Sequence, residues 1–177
     1  LGPGPARAAE RGPRKRIAPA QRLTGREPVA GGRDDVKLGN PHGGFSADGR
    51  EYVIVLGPGD ITPAPWSNVI ANPHFGTVVS ESGSAYTWGE NAHEFRLTPW
   101  SNDPVVDPNT ESYYLRDEES GRFWSPTLLP SGGDAPYVTR HGFGYSVFEH
   151  SEEGVDSALS FYFAGDAPLK FALWSLR

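Results

Sequence analysis

Residues Asn72 to Asp103 read NPHFGTVVSESGSAYTWGENAHEFRLTPWSND, a stretch that joins two predicted strands to a loop rich in aromatic and polar side chains. The predicted strands are Gly76–Ser80 and Ser84–Trp88, and the turn-forming segment Glu81–Gly83 separates them. Neither run shows the 3.6-residue period of an amphipathic helix. The stretch therefore favours a β-fold.

Short strand-like runs separated by turn signals continue on both sides of this stretch. The clearest is Val155–Phe163, in which Leu159, Phe161 and Phe163 alternate with more polar residues and predict one buried face. Because Gly57–Asp60 carries turn-forming residues, we expect a hairpin to follow the run that precedes it. Further strands are predicted over Tyr52–Leu56, Trp66–Ala71, Ser112–Arg116, Arg122–Trp124, Tyr137–Arg140, Gly144–His150 and Lys170–Leu176. The sequence predicts an all-β, antiparallel fold.

The charge is divided unevenly along the 177 residues. Residues up to Arg33 carry eight basic and two acidic side chains, whereas the rest carries 8 basic and 20 acidic ones. The first segment is rich in Pro, Gly and Ala and has no aromatic residue for base stacking. We therefore predict a disordered linker over residues 1–36 and a domain over residues 37–177. The acidic domain does not fit nucleic-acid binding.

The loop chemistry is typical of a surface that grips a polyhydroxylated ring, because aromatic faces cover its C–H groups and planar polar groups bind its hydroxyls. The alternative is a packed loop whose polar groups satisfy one another. The candidate carbohydrate-facing or interface residues are Trp88, Glu90, Asn91, His93, Glu94, Arg96, Trp100, Asn102 and Asp103. In the packed alternative, Trp100 belongs to the core and Arg96 pairs with Glu94 or Asp103.

The residues predict no catalytic site, metal site or cofactor. There is no Cys, and the five histidines lack paired ligand spacing. Glu81, Glu94 and Asp103 are candidates for the two carboxylates of glycoside chemistry, but their spacing alone does not pair them. No apolar run approaches the roughly 18 residues of a membrane helix, so we expect no membrane contact by this segment.

The segments Asn72–Trp88, Glu90–Trp100 and Ser101–Pro104 closely resemble glycoside hydrolase family 94, formerly glycosyltransferase family 36. The resemblance covers about Asn40 to Arg177. Similar segments elsewhere are Gly43–Ile54, Thr62–Trp66, Tyr114–Glu119, Phe123–Thr127 and Arg140–Tyr145. The Ala-His pair within Asn91–Phe95 resembles the cyclic β-1,2-glucan synthase branch, whereas disaccharide phosphorylases of the family usually carry Asn-Ser-Arg-Glu-Asn there.

The resemblance implies part of an N-terminal, galactose mutarotase-like β-supersandwich domain that is not catalytic alone. In the family, the general-acid Asp and the site for inorganic phosphate lie in a later (α/α)6 barrel, so whether the chain is an enzyme stays open. The parent reaction would be inverting phosphorolysis or glycosyl transfer on β-glucans. Expected partners are a β-glucan or oligosaccharide, the catalytic barrel and a second copy in a homodimer.

Two other interpretations remain for the chain. One is a purely structural assembly or dimerisation domain, and the other is a non-functional gene fragment. The resemblance further implies a bacterial, cytoplasmic location for this segment, with the parent synthase anchored in the inner membrane.

Overall fold

The computed structural model describes residues 36–101 and 103–177, and every regular element within them is a β-strand. The first six strands are β1 (Val36–Asn40), β2 (Gly43–Ser46), β3 (Glu51–Leu56), β4 (Ser67–Ala71), β5 (Phe75–Ser80) and β6 (Ala85–Gly89). The others are β7 (Leu115–Arg116), β8 (Phe123–Trp124), β9 (Tyr137–Gly142), β10 (Tyr145–Glu152), β11 (Val155–Phe163) and β12 (Lys170–Leu176). The linker predicted for residues 1–36 lies, except for its last residue, outside the described part of the chain.

The strands form three sheets, and all pairings are antiparallel. A seven-stranded sheet has the order β1-β2-β3-β9-β10-β11-β12, and a three-stranded sheet has the order β4-β5-β6. Strands β7 and β8 pair separately as a two-stranded ribbon. The predicted all-β antiparallel fold is confirmed.

The core lies between the seven-stranded and the three-stranded sheets. Ile70 and Val79 come from the smaller sheet, whereas Phe148, Leu159 and Phe161 come from β10 and β11 of the larger one. Their positions follow the alternation of each strand, because successive side chains point to opposite faces. Each fully buried side chain of this kind contributes about 1.5–3 kcal/mol of transfer free energy. This apolar layer makes the fold a β-sandwich.

Two tight turns organise the end of the larger sheet. Glu153 and Gly154 both have positive φ angles, 51° and 78°, as a type I′ turn requires, and they join β10 to β11. Between β9 and β10, Gly144 has a φ of 83° in the second central position, while Phe143 occupies the first and projects into solvent.

The hairpin predicted after Tyr52–Leu56 is wrong, although its turn is present. Asp60 closes the turn through two hydrogen bonds with Gly57. Its backbone N–H donates to the Gly57 carbonyl, and its carboxylate accepts from the Gly57 backbone N–H. However, β3 is paired on one edge with β2 and on the other with β9, so no edge remains for β4. The chain instead crosses to the smaller sheet, where β4 pairs with β5.

The strand predicted over Ser112–Arg116 is shorter than expected. Only Leu115–Arg116 pairs, because Tyr113 turns inward and packs against Phe161 and Trp174 of the larger sheet, with ring centroids 5.9 and 6.1 Å away. Tertiary packing therefore overrides the local strand pattern at this point.

Candidate functional site

Three aromatic rings form a tilted row on the outer side of β6. The alternation of this strand buries Ala85, Thr87 and Gly89 and leaves Tyr86 and Trp88 half-buried on the other face. The Tyr86 ring lies 5.3 Å from the Trp88 ring and 6.0 Å from the Trp100 ring, with interplanar angles of 34° and 36°. The Trp100 side chain is 52% exposed. An accessible aromatic surface therefore begins at Trp100.

Trp88 sits over a strand position that only glycine accommodates. A Cβ atom added to Gly76, its partner on β5, would lie 2.2 Å from the Trp88 ring, which is far inside van der Waals contact. The Gly76 position thus lets the indole lie flat across the neighbouring strand. This contact fixes one end of the aromatic row.

The loop after β6 is shaped by Asn91, a predicted site residue, and by Tyr86. The Asn91 Oδ1 atom accepts hydrogen bonds from the backbone N–H groups of His93 and Glu94, at 2.8 and 3.0 Å. The Tyr86 hydroxyl donates to the Ala92 carbonyl and ties the loop to β6. Asn91 therefore acts on the backbone, as Asn commonly does in turns, and its oxygen is not free for a ligand.

Asp103 plays a similar part at the other end of the loop. Its Oδ1 atom accepts hydrogen bonds from the backbone N–H groups of Val105 and Val106, at 3.0 and 3.1 Å. Asn102, which precedes it in the sequence, lies outside the described residues. The structure therefore assigns Asp103 a turn-forming contact.

The remaining charged candidates are all exposed, and three of them pair locally. The Glu90 carboxylate lies 3.0 Å from His74 Nδ1, and the Glu94 carboxylate lies 2.6 Å from His93 Nδ1. Arg96 forms no ion pair with another described residue, so the alternative that pairs it with Glu94 or Asp103 is not seen. Its backbone instead forms a β-bridge with Trp88. The Arg96 guanidinium is free to meet a ligand.

An open groove of about 280 Å3, here called the first groove, runs beside the exposed face of Trp100. Its polar wall includes Asp107, whose carboxylate accepts hydrogen bonds from the hydroxyls of Ser80, at 2.6 Å, and Ser82. The side chains that line it include Ser80, Ser84, Tyr86, Trp100, Asp103 and Asp107. The groove thus combines aromatic faces with carboxylate and hydroxyl groups.

The three carboxylates proposed for glycoside chemistry do not form a pair. Glu81 is only 4% exposed and accepts hydrogen bonds from the Thr62 hydroxyl and, at 2.8 Å, from the Trp66 backbone N–H. Burial raises the pKa of the Glu81 carboxyl, and the nearby Asp107 charge adds to this effect. Glu94 and Asp103 have the separate local contacts described above. Glu81 therefore clamps the crossing segment to the smaller sheet.

Tyr86 and Asp107 are site residues that the sequence prediction omitted. Tyr86 was recognisable, because it shares a strand face with Trp88 at a spacing of two. Asp107 lacks a comparable local signal, since it gains its position through hydrogen bonds from Ser80 and Ser82, which are distant in the sequence. Among the described residues, no group of three or more His, Asp or Glu side chains is placed to hold a metal ion. That part of the chain also contains no helix that would reach across a lipid bilayer.

Comparison with known proteins supports the sandwich architecture and the sequence resemblance. The profile described as glycosyl hydrolase 94, supersandwich domain, matches residues 50–177. The cyclic beta-(1,2)-glucan synthase NdvB of Rhizobium meliloti (strain 1021) is 42% identical over 123 residues, which cover 69% of this chain and 4% of that protein. The predicted similarity to a cyclic β-1,2-glucan synthase is confirmed.

Phosphorylases match as well. The N,N'-diacetylchitobiose phosphorylase of Vibrio furnissii is 35% identical over 117 residues, covering 64% of this chain and 14% of that protein. The solabiose phosphorylase of Paenibacillus borealis is 26% identical over 141 residues, covering 76% of this chain and 17% of that protein. The chain therefore spans a small part of the length of each relative.

The fold and the first groove together define an antiparallel β-sandwich domain whose surface carries aromatic rings beside a polar wall. With most of the chain matched by one family profile, the chain belongs to the glycosyl hydrolase 94 supersandwich family.

Proposed function

We propose that the row formed by Tyr86, Trp88 and Trp100 binds a β-glucan or a related oligosaccharide, and that this chain has no catalytic activity alone. The single observation that carries the proposal is the half-exposed Trp100 ring beside a groove walled by hydroxyl and carboxylate groups. Sugar rings need this combination, because their C–H faces pack on aromatic planes while their hydroxyls need hydrogen-bond partners.

The names of the relatives support the class of ligand. One is a synthase of cyclic β-(1,2)-glucan, and the others are phosphorylases of disaccharides. We infer that the parent protein acts on β-glucans by phosphorolysis or glycosyl transfer. Its catalytic barrel and phosphate site would then be supplied by other parts of that protein, and this domain would hold the glucan near them.

Tryptophan fluorescence tests the binding proposal. Titration of the chain with β-1,2-gluco-oligosaccharides is expected to give a saturable change, and Trp100→Ala is expected to weaken the binding that it reports. Phe123→Ala is the matched control, because Phe123 is also about half exposed but does not line the groove. A flat trace from wild-type protein with a cooperative thermal unfolding transition would refute the proposal.

A second candidate function is assembly, and a specific surface favours it. Leu97, Val105 and Val106 are large apolar residues that stay exposed around the same loop. Exposed apolar residues that come together in a patch commonly mark a protein–protein contact. In this case the loop would pack on a catalytic barrel or a second subunit.

Sedimentation velocity distinguishes assembly from sugar binding. If the chain self-associates through this surface, Leu97→Lys is expected to shift the dimer to monomer while leaving the sugar titration intact. A monomer at all concentrations, with or without Leu97→Lys, would argue against a dimer through this loop.

A further inference from the structure

A second cluster of aromatic residues surrounds Trp66, which lies immediately before β4. The Tyr52 ring packs edge-to-face on Trp66 at 5.9 Å, and the Phe45 ring packs edge-to-face on Tyr52 at 5.1 Å. His42 contacts the Trp66 ring from another direction at 6.1 Å. These residues come from β2, β3 and the two segments that precede β2 and β4, so only the folded sheet brings them together.

An open groove of about 360 Å3, here called the second groove, lies against this cluster. Its volume is within the roughly 300–1,000 Å3 range of small-molecule sites. Phe143 lines it from the tip of the β9–β10 turn and is 90% exposed, so this ring adds almost nothing to the core. A large apolar side chain kept in solvent at the rim of a groove is placed to contact a ligand.

The polar groups of the second groove fall into two classes. Those that hold the groove together are already paired: Glu51 accepts a hydrogen bond from the Tyr145 hydroxyl at 2.7 Å and forms an ion pair with Arg140. By contrast, the Trp66 indole N–H and the exposed Ser67 hydroxyl form no hydrogen bond with any described residue. These two groups are available to the hydroxyls of a bound molecule.

The second groove adjoins the first at one residue. Ser67 lines both grooves, and Pro65, two residues earlier, lines the first. Ser67 is therefore common to both grooves, and Trp66 lines the second groove while Trp100 lines the first. A linear polymer that lies on Trp100 and passes over Ser67 would reach the Trp66 cluster.

We propose that the second groove binds further sugar residues of the same glucan chain, so that one oligosaccharide occupies both grooves. This inference rests on the proposed function of the first groove. A neutral polymer fits the charge, because the residues after Arg33 carry 20 acidic and 8 basic side chains, which disfavours nucleic acids and other polyanions. The repeated combination of aromatic rings and free hydrogen-bonding groups fits a polymer of repeated sugar units.

The test is the dependence of affinity on oligosaccharide length. The full chain is titrated with β-1,2-linked glucose oligomers from the disaccharide to the hexasaccharide by isothermal titration calorimetry. The longer oligomers are expected to bind about tenfold tighter than the disaccharide, because the second contact becomes intramolecular. Phe143→Ala is expected to remove this gain without changing disaccharide affinity, whereas Trp100→Ala weakens binding at every length.

A control variant and a second measurement make the outcomes distinct. Phe123→Ala is expected to leave every affinity unchanged, and the exposure of Phe143 makes Phe143→Ala harmless to folding. The indole N–H resonance of Trp66, assigned with Trp66→Phe, is expected to shift only with the longer oligomers. Two results would overturn only the proposal for the second groove. In the first, the disaccharide binds through Trp100 and longer oligomers bind no tighter. In the second, longer oligomers bind tighter, but Phe143→Ala leaves that gain in affinity intact. No binding at any length would overturn both proposals.

Discussion

His141 is expected to make the fold sensitive to acid. Its Nε2 atom lies 3.0 Å from the Trp66 carbonyl oxygen, and its Nδ1 atom lies 2.9 Å from the Ser146 hydroxyl. Because a carbonyl only accepts, Nε2 carries the ring proton and Nδ1 accepts from Ser146. Asn68 donates to the same Ser146 hydroxyl at 3.1 Å. The network joins β4 to β9 and β10, and it requires a neutral imidazole.

Burial lowers the pKa of His141 to about 4, from an ordinary value of 6.5. Above pH 6.5 the ring is neutral in both the folded and the unfolded chain, so its contribution to stability is fully present. Between pH 6.5 and 4 the unfolded chain takes up the proton first, and stability falls as the pH falls. At about 1.4 kcal/mol for each pH unit, the loss attributable to His141 reaches about 3 kcal/mol.

Denaturant unfolding at pH 7 and pH 4 measures this loss, with His141→Gln as the comparison. Glutamine keeps a donor for the Trp66 carbonyl but does not titrate, so the wild-type chain is expected to lose about 3 kcal/mol more than the variant. The comparison is needed because the raised pKa of Glu81 acts in the opposite direction and is common to both proteins. An NMR titration that places the pKa of the His141 ring at 6 or above would refute the reasoning, as would equal pH dependence of the two proteins.

Two further predictions concern packing. Gly76→Ala is expected to destabilise the fold by about 1–3 kcal/mol and to alter the near-ultraviolet circular dichroism of Trp88, because the new Cβ atom would overlap the indole ring. Gly165→Ala, where a Cβ atom meets nothing within 4 Å, is the neutral control, and equal stability of the two variants would contradict the first prediction. Glu111→Gln is expected to cost about 2 kcal/mol in thermal or denaturant unfolding, because Lys170, 2.7 Å away and largely buried, loses its counter-charge. The double variant with Lys170→Met should recover most of that loss, and wild-type stability of the single variant would contradict this account.

Strand positions could be predicted from the sequence wherever neighbouring residues carry the signal. The strands β11 (Val155–Phe163) and β12 (Lys170–Leu176) have the predicted bounds. Alternation runs along β11, turn residues precede it, and the break at Asp166–Pro168 separates it from β12. The second partner of β3, on the edge away from β2, could not be predicted. That partner is β9, more than eighty positions further along the chain, and no short-range pattern encodes that choice.

The candidate site shows the same division. The density of aromatic and polar residues between Trp88 and Asp103 predicted a sugar surface, and Trp100 and Arg96 of that stretch are exposed in the structure. The sequence did not separate these residues from Asn91 and Asp103, whose side-chain oxygens are occupied by backbone N–H groups of the same loop. Hydrogen-bond partners of this kind depend on the exact path of the loop.

By itself, the sequence determined the β-class, most strand positions and the family, because alternation, turn residues and long motifs are properties of contiguous residues. Only the tertiary structure decided that β4 pairs with β5 in a second sheet and that Ser67 lines both grooves. Those outcomes depend on which strand edges are already paired and on which distant side chains share one face. The physical reason is that apolar side chains are buried, and backbone polar groups find hydrogen-bond partners, through contacts across the whole fold. A sequence pattern reports only the local structure of one segment.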